Sequence, residues 1–134
     1  MTTNYSKDIQ IACGALLLAV AEADEILEMN ELEAVQDILI DFFNIMPQDA
    51  SQILEESRHL RKHGTGLFEP GKLLNQTFDF EEKLDFIHCI YEVGYSDGAL
   101  HHLEDFVIKQ IANVLHIEQA DLVHARSEVR NWFK

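Results

Sequence analysis

Apolar residues recur at steps of three and four along almost every segment of the sequence, which is the spacing of one face of an α-helix. Only two prolines interrupt the 134 residues, and runs of β-branched residues are absent. The pattern therefore predicts an all-α protein. The first segment, residues 7–23, has the clearest face, formed by Ile9, Ala12, Cys13, Leu16, Leu17, Val20 and Ala21.

The same spacing predicts further helices and a core. The later helices are expected at residues 29–44, 48–63, 79–96, 102–116 and from about 118 to the end of the sequence. The side chains expected to be buried are Leu17, Val20, Leu39, Phe42, Ile90, Val93, Ile111 and Leu115. At this length one core burying roughly two-thirds of the unfolded surface is expected, and therefore one domain.

A helix–turn–helix stretch, residues 91–105, carries the strongest local signal. Asp97-Gly98 is a turn sequence, because glycine adopts positive φ freely and aspartate hydrogen-bonds nearby backbone. His101 followed three residues later by Glu104 has the spacing of a capping box at the start of a helix. One helix is therefore expected to end before Asp97 and the next to begin after His101.

A weaker copy of this stretch lies 73 residues earlier. Without a gap, Asp24 aligns with Asp97 and Glu31 with Glu104, and apolar positions of the following helices also correspond. The copy predicts two pseudo-symmetric three-helix repeats, at residues 7–63 and 79–134, joined by a linker at 64–78. The linker is expected because three glycines and one proline fall between Gly64 and Gly71, followed by a short helical turn at Leu73 and Leu74.

The pattern Asp97-Gly98-x-Leu100-His101-x-x-Glu104, together with its earlier copy, resembles the TerB-like family of tellurite-resistance-associated helical domains. The first copy departs from the family pattern, because Glu25 and Glu28 replace the usual glycine and cap residue. The resemblance covers nearly the whole chain and implies a bacterial helical bundle linked to stress and toxic-oxyanion resistance. It also implies action through protein partners, including membrane-associated ones.

The charge balance limits the partners of this protein. With 24 acidic and 10 basic residues, the net charge of −14 opposes binding to nucleic acid and to anionic membranes. It favours cations and basic partners, although solubility alone also explains it. No signal sequence or span long enough to insert into a bilayer is expected, and two cysteines without metal spacing suit a reducing cytoplasm.

The two acidic loops are the candidates for chemistry. If they approach each other, their oxygen atoms and one imidazole are suited to a divalent cation such as Ca²⁺ or Mg²⁺. The alternative is structural, with the aspartate closing the turn and the glutamate capping the helix. The predicted ligand set is Asp24, Glu28, Glu31, Asp97, His101 and Glu104.

Two functions remain open on the sequence. The first is a non-catalytic helical module of the TerB type that serves in protein interaction or in a response to a divalent metal. The second is a small enzyme whose loop carboxylates perform acid–base or metal chemistry, which a pocket of convergent carboxylates would favour. Trp132 and Phe133, near the end of the sequence, are expected to close the core, with partner docking as the alternative.

Overall fold

The computed structural model describes residues 5–24, 29–64 and 66–133. These residues form one all-α domain and include no strand. The all-α prediction is therefore confirmed for the described part of the chain, whereas the pseudo-symmetric repeats and their boundaries stay a prediction. Its helices are α1 (Lys7–Ala21), α2 (Met29–Phe43), α3 (Pro47–Lys62), α4 (Phe68–Thr77), α5 (Phe80–Gly94), α6 (His102–Val114) and α7 (Gln119–Trp132).

Helix α1 is the centre of the bundle and contacts α2, α3, α4, α5 and α6. It is buried over most of its length, from Ile9 to Ala21, which explains its nearly continuous apolar sequence. Gly14 allows the close approach of α3, because a Cβ atom there would overlap the Ser57 hydroxyl. That hydroxyl is fully buried and lies 3.1 Å from the Ile11 carbonyl oxygen of α1.

Helix α4 occupies most of the predicted linker, where the sequence indicated only a helical turn. Pro70 is its third residue, in the first turn, where a helix does not need the N–H that proline lacks. Gly71 packs against Val114 of α6, leaving no room for a Cβ atom. The backbone break itself lies just before α4, where Gly64 and Gly66 have φ values of +83° and +63°.

The predicted core is confirmed except at Phe42, which is only partly buried. Phe42 and Phe43 are adjacent on α2 and therefore point about 100° apart, so only one can face the core fully. Phe43 takes that position. Phe42 instead packs edge-on against Phe43, with 5.0 Å between ring centroids.

The two C-terminal aromatic residues do not close the core. Trp132 and Phe133 are 57% and 44% exposed. They lie at the end of α7 and stack on the rings of His88 and Tyr95, with centroid separations of 6.0 and 6.1 Å. The core is already closed by residues earlier in α7, such as Leu122 and Val129.

Candidate functional site

The start of α2 lies beside the second acidic loop. Asn30, at the start of α2, donates its Nδ2–H to the Ser96 carbonyl oxygen of the second loop at 3.2 Å. Glu31 and Glu104 lie in the first turns of α2 and α6, and each is only 1% exposed. Their side chains are hydrogen-bonded to each other, so residues 73 apart in sequence form one buried pair.

The second loop has the predicted turn and cap. Gly98 has a φ of +105°, and its N–H donates to the Tyr95 carbonyl oxygen at 2.8 Å. His101 is the N-cap of α6, with its Nδ1 accepting the Leu103 N–H at 3.2 Å. Glu104 completes the capping box, since its Oε1 accepts the His101 N–H at 2.9 Å.

Burial and repulsion change the protonation of this pair. Burial raises the pKa of Glu104 to about 8, although the hydrogen bond from the His101 N–H acts in the opposite direction. The Glu31 carboxyl and the charge of Asp97 raise that pKa further. Two carboxyl groups that hydrogen-bond to each other need a proton between them, because an ionised carboxylate only accepts. At neutral pH the pair therefore holds a proton.

Three of the other four predicted ligands are described, and none of the three is buried. Asp97 is exposed at the turn, where its Oδ1 lies 3.5 Å from the Ala99 N–H, and His101 is exposed with Nδ1 engaged in the helix cap. Asp24 is partly exposed. Glu28 lies outside the described residues.

Of the five predicted ligands that the structure describes, Glu31 and Glu104 form a direct pair. Within residues 5–24, 29–64 and 66–133, no group of three or more His, Cys, Asp or Glu side chains is arranged to hold a metal ion. The metal site therefore stays a prediction. Its structural alternative accounts for the contacts seen at His101 and Glu104.

The burial of the two glutamates was missed from the sequence, although a signal was present. Glu31 precedes Val35 and Ile38 by four and seven residues, and Glu104 precedes Ile108 and Ile111 in the same way. Both glutamates thus continue an apolar helical stripe. A glutamate is seldom fully buried without a partner, so its place on such a stripe predicts a buried partner group.

Comparison with known proteins identifies one relationship. The family model described as tellurite resistance protein TerB matches residues 10–127, which is most of the chain and includes both acidic loops. No protein among those with curated functions matches the chain, and neither does any solved structure.

Proposed function

This chain belongs to the TerB family, and we propose that it is a non-catalytic module that responds to a divalent cation and acts through protein partners in stress and tellurite resistance. The observation that supports the cation is the Glu31–Glu104 pair, buried between the first turns of α2 and α6. The proposal that it acts through protein partners is supported by the family and by the net charge of −14.

The donor set of the pair suits a hard cation. Carboxylate oxygens are the ligands that Ca²⁺ and Mg²⁺ prefer, and a cation between Glu31 and Glu104 would offset the repulsion that otherwise retains a proton. Asp97 adds negative charge near Glu104. Two carboxylates are fewer ligands than either ion requires, so waters or the remaining predicted residues would supply the others.

Burial of the pair favours binding over catalysis. A raised carboxyl pKa is typical of acid–base residues in enzymes, which is what the enzyme hypothesis requires. Glu31 and Glu104, however, are each 1% exposed, so an organic substrate does not reach them. A dehydrated cation is much smaller than an organic substrate, so the buried pair favours a non-catalytic function.

The proposed setting is the cytoplasm, with partners that include membrane-associated proteins. Among the described helices, none is long and apolar enough to cross a membrane. The net charge of −14 argues against nucleic acid as a partner.

Thermal melting with Ca²⁺ and with Mg²⁺ tests the cation. At a hundredfold excess over Kd, binding to the native state adds about 2.7 kcal/mol, which raises the Tm by several degrees. Because the cation displaces the proton of Glu104, the shift should be larger at about pH 8.5 than at about pH 6.

The Glu104→Gln variant removes the ionisable group while its amide oxygen still accepts the His101 N–H. It should abolish the cation-induced shift. Glu82→Gln is the matched control, because Glu82 occupies the same position in the capping box of α5 and should leave the shift unchanged. Equal shifts in both variants, or no shift in the wild type at either pH, would refute the cation site.

A further inference from the structure

An apolar groove lies between α1, α3 and α4. Its volume is about 520 Å³, within the range of about 300–1,000 Å³ that is typical of ligand pockets. The described residues that line it are Asp8, Ile11, Ala12, Glu56, His59, Leu60, Glu69, Pro70 and Leu73.

Apolar side chains from all three helices form its floor. Ile11, Leu60 and Leu73 are partly buried and come from α1, α3 and α4 in turn, while Ala12 and Pro70 are buried. A floor of separate aliphatic side chains between helices matches the way grooves receive the apolar face of an amphipathic helix.

Carboxylates surround this floor. Asp8, Glu56 and Glu69 are exposed, one on each of the three helices, and no lysine or arginine is among the described residues that line the groove. Arg58 and Lys62 belong to α3 as well, but they line a neighbouring depression, which shares His59 with the groove. The groove therefore combines apolar side chains with one carboxylate from each of its three helices and with the imidazole of His59.

We propose that this groove binds an amphipathic helix of another protein that carries lysine or arginine beside its apolar face. Apolar burial would supply the affinity, and the three carboxylates would select basic over acidic helices. A second copy of this chain is a poor occupant, since each copy carries a net charge of −14. The inference rests on the partner part of the proposed function and is independent of the cation.

The test uses a fluorescein-labelled helical peptide of leucine and lysine, with leucine at positions i, i+3, i+4 and i+7, titrated with the full chain. The wild type should bind it, and should bind a peptide with glutamate in place of lysine at least about tenfold more weakly. Leu60→Gln combined with Leu73→Gln should weaken binding about tenfold without changing the net charge. Circular dichroism checks that the variant is folded.

Matched charge reversals distinguish binding in the groove from general electrostatic attraction between the basic peptide and the acidic protein. Glu56→Lys with Glu69→Lys alters a mid-helix residue of α3 and a first-turn residue of α4. Asp85→Lys with Glu118→Lys alters exposed residues in the middle of α5 and at the N-cap of α7, with the same change in net charge. The first pair should weaken binding about tenfold, and the second less than about threefold.

Each contrary outcome overturns the inference in a recognisable way. Equal weakening by both charge pairs, or no effect of the leucine substitutions, would show that the peptide binds elsewhere and would refute the groove as its site. Sedimentation that shows dimers, dissociated by the leucine substitutions, would make a second copy the occupant. Absence of peptide binding alongside a cation-induced Tm shift would refute the groove and leave the cation site standing.

Discussion

Helices α5 and α6 begin with the same local device but place its glutamate in opposite environments. In both, the N3 glutamate accepts the N–H of the N-cap residue at 2.9 Å, Glu82 from Asp79 and Glu104 from His101. Glu82 is partly exposed, whereas Glu104 is 1% exposed and faces Glu31 of another helix. The local sequence determines the cap, and the tertiary partner determines the charge state.

The largest expected difference in stability lies two turns further along the same face of each helix. Ile111 follows Glu104 by seven residues and is fully buried, whereas Cys89 follows Glu82 by seven and is only partly buried. Ile111→Ala should lower the free energy of unfolding by about 2–5 kcal/mol through the cavity it leaves. Cys89→Ala should cost about 1 kcal/mol or less in urea denaturation. Similar losses at both sites would mean that the two helices are equally embedded.

The pH dependence of stability is the next largest effect. The pKa of Glu104 is raised from 4.5 to about 8, so the folded state keeps a proton that the unfolded state has lost between these values. This contribution is fully present below about pH 4.5 and is lost as the pH rises through about 8, with a slope of at most about 1.4 kcal/mol per pH unit.

Chemical denaturation from about pH 5 to about pH 9, with a chelator present, measures this slope. Glu104→Gln should flatten the fall, because glutamine keeps the cap and resembles the protonated acid. Glu82→Gln should retain the slope of the wild type. A slope unchanged in Glu104→Gln would show that another group holds the proton.

The two N-cap residues should differ by a smaller amount. Asp79 Oδ1 accepts the Glu82 N–H at 2.8 Å, while His101 Nδ1 accepts the Leu103 N–H at 3.2 Å. Asp79→Ala should cost about 1 kcal/mol, as is usual for an aspartate cap, and His101→Ala about 0.5 kcal/mol. Thermal unfolding of the two variants measures the difference, and a larger loss at His101 would reveal a second role for that side chain.

Features of this structure that depend on local interactions were predicted better than features that depend on contacts between distant residues. The helices other than α4, and the capping box of α6, were predicted within a few residues, because spacing and caps are local. Helix α4 was predicted only as a helical turn, because proline and glycine, here Pro70 and Gly71, are typical of loops. The packing of Val114 against Gly71, which explains the glycine, is seen only in the structure. Phe42 was misplaced because two adjacent phenylalanines do not reveal which one faces the core.

The candidate site was predicted only in part for the same reason. The alignment of Glu31 with Glu104 singled out both residues, but their burial was not predicted from the apolar stripes on which they lie. Their contact, however, depends on how α2 and α6 are placed around α1, which no local pattern specifies. The apolar groove was missed altogether, because its floor combines residues from three helices that are far apart in sequence.

The smallest predicted effect concerns Asp97, which is exposed and acts on Glu104 through charge. Asparagine forms similar turn hydrogen bonds, so Asp97→Asn should change stability at neutral pH by less than about 0.5 kcal/mol. Removing the negative charge makes ionised Glu104 less costly, so the pKa of Glu104 should fall slightly, and the variant should keep more stability than the wild type above about pH 8. NMR titration of the Glu104 side-chain carboxyl measures that change directly. A loss of several kcal/mol at neutral pH would instead show that Asp97 holds the turn in a way that asparagine does not replace, and the charge of the buried pair would then depend on the loop's shape as well as on its sequence.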